Sequence, residues 1–390
     1  MNLLLHGYSK KIRPVLDQSK SVDMAVSLWI SSINDVIVVE QKMVVSAYVQ
    51  VTWRDERLSW NATQWGIHTM QFIQGDLWIP DLVLMNGFKT MQPLGGDSYF
   101  LSVTSNGEIV WDPFMVFESK CDIDVSYFPF DKQTCSIIFG TWSYGRNEVF
   151  LYVPPNTKVE FREVVENSIW EVTSADATFD PVSNNNAVTF IIHLRRKPLH
   201  YFLNMILPIV CLGVLNGFVF IIPADAGEKM GYTVSIFLSF IVFLTMIRDE
   251  LPVNSGNVSI MSIYVMIQIG LSMLVIFITS LQLRLHHRKP EREIGQFCRS
   301  LVRLERRLQC VDKGPRSGCC KRRVHTIQIA SEGTSATSLE NDISSKAEEV
   351  VEWMDVSSAI DFLSFWFLVF TEVVVSIGMF SYSISQWRSS

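Results

Sequence analysis

The chain is poor in charged residues, and what it lacks excludes several classes of protein. Only 18% of its 390 residues are Asp, Glu, Lys or Arg, whereas ordinary soluble domains carry about 25%. Its 7 cysteines are too few for a disulfide scaffold, and its 20 Gly and 14 Pro are too few for collagen-like repetition. The net charge of −6 offers no excess of positive charge, so we expect no nucleic-acid partner.

The sequence also lacks the arrangements that are typical of an enzyme. The adjacent His286 and His287 have no further ligand-type residues close by, and we find neither a nucleophile with its base nor a phosphate-binding loop. Apolar residues are abundant instead, since 48% of the chain is hydrophobic and 25 residues are Phe. A polar first half joined to an apolar second half is typical of a membrane protein.

Four apolar runs in the second half are candidates to cross a bilayer, which takes roughly 20 residues of α-helix. They are Phe202–Ile222, Met230–Ile247, Val258–Leu283 and Ile360–Phe380. The alternative for each run is a buried helix of a soluble core. The length and low charge of the first, third and fourth runs favour membrane spans. The second run is shorter and carries several hydroxyl side chains, so we expect it to face something polar.

The charge of the connections predicts the orientation of these spans. Residues 284–323 hold 13 Lys and Arg against 4 Asp and Glu, and connections rich in Lys and Arg stay on the cytoplasmic side. Four spans then place both termini outside the cell. The glycosylation sequons at Asn61 and Asn257 fall on the same outer side.

Residues 20–200 show short alternating strands, such as Met43–Trp53, with a turn at Asn106-Gly107. Many strands of this kind predict a β-sandwich. The segment Leu3–Val15 ahead of them predicts a helix. Cys121 and Cys135 are the only cysteines of this outer half, and with 13 residues between them we expect a disulfide. From the spacing alone, the aromatic loop that it closes either contacts the membrane part or serves as a structural staple.

Several motifs occur together in one order along the chain. The two cysteines enclose Phe128-Pro129-Phe130-Asp131, and a β-rich domain is followed by three spans, a basic connection and a fourth span. Further motifs are Trp78-Ile-Pro-Asp81, Phe139-Gly-Thr-Trp142-Ser-Tyr144, Arg196 before the first span, Pro208 within it and Gly227-Glu228-Lys229 before the second. Over nearly the whole chain these features resemble a Cys-loop receptor subunit of the pentameric ligand-gated ion channels. The nearest branch is the cation-selective nicotinic and serotonin type.

The resemblance implies an extracellular β-sandwich domain followed by a four-helix transmembrane bundle in the plasma membrane. Five subunits would surround a central pore, either identical or of different kinds. The implied domains are the ligand-binding sandwich at 1–200, three transmembrane helices at 201–284 with the pore helix at about 230–248, a cytoplasmic connection at 285–356, a fourth helix at 357–382 and an extracellular tail at 383–390. The amphipathic stretch Ile294–Leu308 is expected to lie at the membrane surface against lipid. No cofactor or metal is implied.

The second span carries one helix face of small and apolar residues. Its members Gly231, Ser235, Leu238 and Val242 recur at steps of three or four. A packing seam between helices is the alternative, but acidic residues at both ends of the face, Glu228 and Asp249, favour a pore.

Five copies would turn these two acidic residues into carboxylate rings that attract cations, and Leu238 and Val242 into apolar constrictions. Anion-selective relatives carry an inserted Pro, with Ala in place of the acidic residue, so the resemblance implies cation selectivity. An anion channel, or a non-conducting modulatory subunit that needs others, is the alternative.

The resemblance also implies a site for a small extracellular ligand between neighbouring subunits. Trp142 would come from the main face and Tyr48 from the neighbouring face, where a cationic amine gains about 0.5–2 kcal/mol per aromatic contact. Other candidates in this site are Tyr144, Phe179, Met85 and Asn185. Met85 stands where amine-binding relatives carry Tyr, and the loop around Asn185 lacks adjacent cysteines. These departures favour a ligand other than acetylcholine or serotonin.

Signal transfer to the pore is implied for a third set of residues. These are Phe128, Pro129, Phe130, Asp131, Arg196 and Pro252. The opposite charges of Asp131 and Arg196 predict an ion pair. The alternative is an ordinary surface pair that contributes at most about 1 kcal/mol.

Overall fold

The computed structural model describes residues 4–155, 159–165, 167–179, 186–224, 227–252, 258–289, 294–312 and 351–389. Asn185 and Asn257, two of the residues singled out above, lie outside these ranges. The chain divides into two compact units. The first contains Met1–Asn204 with Thr245–Ile263 and Ser381–Ser390, and the second contains Met205–Leu244 with Tyr264–Phe380.

The first unit is built mainly from β-strands. In chain order they are β1 (Val22–Ile37), β2 (Lys42–Arg54), β3 (Thr69–Ile73), β4 (Leu82–Leu84), β5 (Gln92–Pro93), β6 (Phe100–Thr104), β7 (Glu108–Trp111), β8 (Phe114–Lys120), β9 (Lys132–Thr141), β10 (Val149–Tyr152), β11 (Glu160–Val165), β12 (Trp170–Phe179) and β13 (Ala187–Arg196). A short helix, α1 (Ala62–Trp65), begins at Asn61, whose side chain caps it.

These strands form the predicted β-sandwich from two sheets. The larger sheet has the order β10-β1-β2-β7-β6-β3, with β11 beside β1 and β8 beside β2, and the smaller one has the order β12-β13-β9-β4-β5. Alternate residues are buried in strands such as β13, where they are Val188, Phe190, Ile192 and Leu194, because successive side chains of a strand point to opposite faces. The predicted turn at Asn106-Gly107 connects β6 and β7, and Gly107 has a φ of +83° that suits glycine.

The expected disulfide between Cys121 and Cys135 is confirmed. It joins the end of the larger sheet, just after β8, to β9 of the smaller sheet. Phe117 of β8 and Phe139 of β9 also contact each other across the sandwich, with ring centroids 5.1 Å apart. The disulfide therefore fixes two strands that already share a core, and it closes the loop 122–134 at their end.

The helix expected over Leu3–Val15 is wrong for the residues described, 4–15, which form turns. Gly7 takes a φ of +80°, which interrupts a right-handed helix. The segment is held by side-chain contacts instead: the Tyr8 hydroxyl donates to Asp55 at 2.8 Å and accepts from the Trp78 amide at 3.0 Å. Burial raises the pKa values of both Tyr8 and Asp55. Contacts with the sandwich thus override the local helical pattern.

In the described part of the chain, five longer helices follow the strands. They are α2 (Leu199–Ile221), α3 (Lys229–Glu250), α4 (Ile260–His286), α5 (Gln296–Asp312) and α6 (Trp353–Ser389). Among the described residues, α2, α3, α4 and α6 are long and apolar enough to cross a membrane, in agreement with the four predicted spans. Helix α2 contains a π-helical turn over Phe202–Ile206, which precedes Pro208. A proline removes a backbone donor there, and such turns accommodate the loss.

Helix α5 covers the predicted amphipathic stretch, and one of its faces packs against the start of α6. Val302 of α5 lies in a buried cluster with Trp353, Val356 and Ala359 of α6. Helix α6 continues without a break through the predicted domain boundaries near residues 356 and 382. A second cluster, Val219, Phe220, Val275 and Leu368, joins α2, α4 and α6. The second unit is therefore a helical bundle.

Candidate functional site

One face of helix α3 is exposed along its length. We call the residues Gly231, Ser235, Leu238, Val242 and Met246 the pore stripe, and all of them are exposed in the single chain. Leu238 and Val242 are 56% and 57% exposed although both are apolar. No described helix of the same chain therefore packs over this face, and the alternative of a packing seam stays a hypothesis for contacts with another chain.

The other faces of α3 are covered by the bundle. Phe240 and Thr233 are fully buried, and Phe237 and Phe243 are half-buried. The hydroxyl of Ser235 donates to the Gly231 carbonyl at 2.9 Å, so it does not leave a polar group without a partner on the stripe. The pore stripe is therefore exposed while residues on other faces of α3, such as Phe240 and Thr233, pack within the chain.

The two acidic residues lie at the ends of this face. Glu228 directly precedes α3 and Asp249 lies in its last turn, and both are exposed. Lys229 points differently from its neighbour, because its side chain is fully buried. Of these two adjacent charges, only that of Glu228 is exposed to water.

Among the candidate ligand contacts that the structure describes, Trp142 is the most exposed, at 65%. It is the first residue of the connection between β9 and β10. Its side chain lines a cleft of about 400 Å³ that is also lined by Asp81, Leu82 and Pro93. Asp81 fixes this connection, since its carbonyl accepts from the Trp142 amide at 3.1 Å and its carboxylate accepts from the Ser143 amide at 2.5 Å. The Trp78-Ile-Pro-Asp81 motif thus positions Trp142, a role that the motif alone did not indicate.

Two further candidates lie next to Trp142 but are engaged in packing. A Cβ atom placed on Gly140 would stand 3.0 Å from the Cγ of Met85, so Met85 covers the strand just before Trp142. The Tyr144 hydroxyl accepts a hydrogen bond from the indole of Trp78 at 3.3 Å, and the two rings lie 5.9 Å apart. Tyr144 therefore packs against Trp78 and stabilises the connection between β9 and β10, while the side chain of Trp142 remains exposed.

Phe179 already has a cation over its ring. The Arg146 guanidinium lies 5.5 Å from the Phe179 centroid and 5.2 Å from that of Phe150, and the two rings are 5.4 Å apart. These distances are within the range of cation–π contacts. Sequence reasoning missed Arg146, although it stands only four residues after Trp142 in the same connection.

Tyr48, the candidate for the neighbouring face, lies on β2 of the larger sheet. It is 36% exposed, and its ring lies 4.7 Å from that of Phe114 on β8. Tyr48 thus lies on the larger sheet, whereas Trp142 directly follows β9 of the smaller sheet. Asn61 is exposed at the start of α1, where its side-chain oxygen accepts from the amides of Thr63 and Gln64.

Arg196 and Asp131 form a buried bidentate ion pair. The Nε of Arg196 donates to Oδ1 of Asp131 at 2.7 Å, and its Nη2 donates to Oδ2 at 3.0 Å. Both side chains are at most 2% exposed, so the interpretation as a surface pair is wrong. Gln133 also donates to Asp131 at 2.7 Å, and Arg196 donates to the Tyr201 hydroxyl at 3.2 Å.

Three aromatic rings surround the Arg196 guanidinium. Its carbon lies 4.2 Å from the centroid of Trp170, 5.0 Å from Phe128 and 5.2 Å from Tyr201. Phe128 and Pro129 are buried, while Phe130 is half-buried. The loop closed by the disulfide is therefore not an exposed aromatic surface as a whole. Its central residues pack around one charged group.

The same loop contacts residues near one end of each of two helices, α4 and α6, within the first unit. The Ser126 carbonyl accepts from the amide of Ile260, the first residue of α4, at 2.9 Å. The ring of Tyr127 lies 6.0 Å from that of Tyr382 on α6, and a hydrogen bond with Tyr382 raises the pKa of Tyr127. Pro252, which follows α3, is half-buried.

Asp361 and Glu372, the two acidic residues of the fourth apolar run Ile360–Phe380, face protein as expected of charges at membrane depth. Asp361 pairs with Lys229, and Glu372 accepts hydrogen bonds from Gln268 and Tyr264. In the part of the chain that the structure describes, no group of three His, Cys, Asp or Glu residues is placed to hold a metal ion.

Comparison with known proteins gives two family matches. The neurotransmitter-gated ion-channel ligand binding domain matches residues 1–198, and the neurotransmitter-gated ion-channel transmembrane region matches residues 205–313. This family consists of ligand-gated channels and not of enzymes. With four helices capable of spanning a membrane, the chain is a multi-pass membrane protein.

Acetylcholine receptor subunits are among the curated relatives. The neuronal subunit alpha-6 of Rattus norvegicus is 32% identical over 294 residues, covering 74% of this chain and 59% of the relative. The neuronal subunit beta-3 of Homo sapiens is 33% identical over 290 residues, covering 73% and 63%. The beta-type subunit lev-1 of Caenorhabditis elegans is 32% identical over 290 residues, covering 74% and 56%. The match spans about three fifths of these relatives' length. The chain belongs to the neurotransmitter-gated ion-channel family.

Proposed function

We propose that the chain is one subunit of a ligand-gated, cation-selective channel in which five subunits surround a pore lined by α3. The observation that carries this proposal is the exposed pore stripe. An apolar face such as that of Leu238 and Val242 gains nothing from exposure to water in a single chain. A ring of copies explains it, because the stripes of five helices then face one another around a narrow aqueous path.

Cation selectivity follows from the charge at the ends of this path. Five copies of Glu228 form one ring and five copies of Asp249 another, and rings of carboxylates attract cations and exclude anions. The burial of Lys229 supports this view, since its positive charge does not face the same water as Glu228.

The ligand would bind between subunits, with Trp142 on the main face and Tyr48 on the neighbouring one. Relatives named as acetylcholine receptor subunits make a cationic amine the first probe to test. Met85 and the contact of Arg146 with Phe179 reduce the aromatic surface that remains for such a cation. Trp142, Tyr144, Phe179, Met85 and Asn185 thus stay predicted ligand contacts, and Trp142 is the one whose exposure supports that role best.

Coupling would run through the loop closed by Cys121 and Cys135. Its contacts with the first residue of α4 and with α6 support a path from the sandwich to the helices. Arg196 and Asp131 would hold the loop, with Phe128, Pro129 and Phe130, in a fixed conformation, and Pro252 would complete this set after α3.

We assign the domains and their sides of the membrane as the sequence predicted them. Residues 1–200 and the tail 383–390 lie outside the cell and 285–356 inside, in the plasma membrane, with a glycan on Asn61. Helix α5 lies at the membrane surface on the inner side. Lipid headgroups and four further subunits, identical or different, are the partners.

Cysteine substitution along α3 tests the pore. We expect Gly231, Ser235, Leu238 and Val242, each changed to Cys, to react with a water-soluble cationic thiol reagent and to lose most of their current. Phe240→Cys is the matched control on the buried face and should not react. Equal reaction at Phe240 and Leu238, or none at any position, would contradict the proposal.

A non-conducting modulatory subunit is the second candidate, and the Arg146 contact is the observation that favours it. A chain that places its own cation over an aromatic ring of the ligand site is poorly suited to an amine agonist. Such a subunit would carry no current alone and would change the currents of a conducting nicotinic subunit expressed with it.

Arg146→Gln is expected to raise the sensitivity to acetylcholine. One unit charge about 6 Å from a bound amine changes its affinity about threefold in water, and the freed ring adds a cation–π contact worth about 0.5–1 kcal/mol at an exposed site. We therefore expect the half-maximal concentration to fall by about tenfold, as measured by whole-cell current or by displacement of a labelled nicotinic ligand. Arg54→Gln, an equal loss of charge on an exposed residue of β2, is the control. Equal shifts of the half-maximal concentration in both variants would show that the loss of one positive charge anywhere on the domain has this effect, and would contradict a specific role for the contact of Arg146 with Phe179.

A further inference from the structure

Lys229 stands at a position where its charge opposes the proposed pore. It follows Glu228 directly and is the first residue of α3. A cation at this place is unfavourable for two reasons. The N-terminal end of a helix carries partial positive charge, and a second positive charge beside Glu228 would cancel the attraction of the carboxylate for passing cations.

The structure shows where this charge goes. The Lys229 side chain is 1% exposed, and its Nζ atom lies 2.6 Å from Oδ1 of Asp361 on α6. The same ammonium lies 5.7 Å from the ring centroid of Phe220. Lys229 therefore points into the bundle and is paired with a carboxylate of the fourth apolar helix.

The second oxygen of this carboxylate is also held. Gln282 of α4 donates from Nε2 to Oδ2 of Asp361 at 2.8 Å, and the same nitrogen lies 2.7 Å from the hydroxyl of Ser357, one turn earlier on α6. Asp361 is thus bound from α3 on one side and from α4 on the other. An acceptor fixed in this way holds the Lys229 ammonium at one place.

Removal of the Asp361 charge would leave a buried ammonium without a counter-ion. Such a group does not stay buried, and the flexible stem of lysine lets it reach water instead. The exposed residue nearest along the chain is Glu228. The released charge would therefore appear beside the carboxylate that we assign to the inner ring.

We propose that Asp361 is a positioning residue that sets cation conduction: it neutralises Lys229 and keeps its ammonium away from the pore, so that the ring of Glu228 retains its negative charge. This inference rests on the proposed function of α3. It gives the fourth helix, which carries no residue of the pore stripe, a role in selectivity.

The test compares single-channel sodium conductance in four full-length chains: wild type, Asp361→Asn, Lys229→Gln and the double variant. In Asp361→Asn we expect a fall of at least about threefold, the Boltzmann factor for one unit charge about 6 Å from the ion in water. The double variant lacks both charges and should return to the wild-type value. A conductance in the double variant well above wild type would overturn the proposal, because Lys229 would then already act on the pore.

Glu372→Gln separates this role from a merely structural one. Glu372, a second carboxylate of α6, is 8% exposed and is held by Gln268 and Tyr264, away from any lysine or arginine among the described contacts. We expect it to leave single-channel conductance unchanged, even if fewer channels reach the surface. An equal fall of conductance in Glu372→Gln and Asp361→Asn would overturn the proposal.

Thermal unfolding of the same purified chains tests the pairing of Lys229 with Asp361 without any measurement of current. The pair predicts that Asp361→Asn and Lys229→Gln each lower the unfolding temperature and that the double variant recovers part of the loss. Additive losses would overturn the pairing itself. Coupling of the two sites in unfolding, together with no current from a Leu238→Thr chain that reaches the surface, would contradict the pore and not the pair, so the two failures are distinguishable.

Discussion

Asp131→Asn is expected to unfold the β-sandwich domain or to keep it from reaching the cell surface. The change leaves Arg196 charged, 2% exposed and without its bidentate acceptor. Breaking a buried ion pair in this way costs about 3–5 kcal/mol, and a whole domain is stable by only about 5–15 kcal/mol. Surface biotinylation of the expressed chain and thermal unfolding of the purified protein measure the loss.

Glu171→Gln is the matched control for this prediction. Glu171 pairs with Arg195, the neighbour of Arg196, at 2.7 Å, but this pair is exposed to solvent. Arg195 lowers the pKa of Glu171 through their hydrogen bond, yet exposed pairs contribute little to stability, so we expect no measurable change. The double variant Asp131→Asn, Arg196→Gln should recover part of the loss, because no uncompensated charge then remains. Equal effects of Asp131→Asn and Glu171→Gln would contradict the buried-pair account.

Leu238→Thr is expected to produce a sodium current in the absence of any ligand. In the proposed pore, five copies of Leu238 form an apolar constriction that closes by excluding water. Replacing leucine by threonine weakens this exclusion by on the order of 1 kcal/mol per copy. Five copies then shift the closed–open equilibrium by on the order of 5 kcal/mol, which is enough to open a channel that is otherwise almost always closed.

Leu244→Thr provides the comparison on the same helix. Leu244 is half-buried and lies outside the pore stripe, so the same substitution should reduce stability and leave the resting current unchanged. The measurement is holding current at fixed voltage, normalised to the amount of chain at the surface. A resting current in Leu244→Thr but not in Leu238→Thr would mean that the stripe does not line the gate.

The spans and the sandwich could be predicted because each depends on local pattern. An uninterrupted apolar run of about 20 residues has few alternatives to a membrane helix, and the alternation seen in Met43–Trp53 indicates a strand wherever it packs. The helix expected at Leu3–Val15 was wrong for a related reason. That segment has no core of its own, and contacts such as the one between Tyr8 and Asp55, 47 residues apart, decide its conformation.

The candidate sites were predictable only in part, because their chemistry depends on residues that are distant in sequence. The stripe on α3 could be read from helical periodicity. The pairing of Lys229 with Asp361 joins residues 132 positions apart, and no local pattern indicates it. Burial has no local sequence signal either, so the sequence predicted the ion pair of Asp131 and Arg196 but not whether it lies at the surface or in the interior. Arg146 carried no signal beyond its closeness to Trp142.

The reversal potential of the current tests the central claim most directly. The chain would be expressed alone in oocytes and held under two-electrode voltage clamp, with Leu238→Thr as the source of current if the wild type needs a ligand. Replacement of most external sodium by a large impermeant cation should move the reversal potential to more negative values, while replacement of chloride should leave it unchanged. A reversal potential that follows chloride would contradict the proposal that Glu228 and Asp249 form cation-attracting rings.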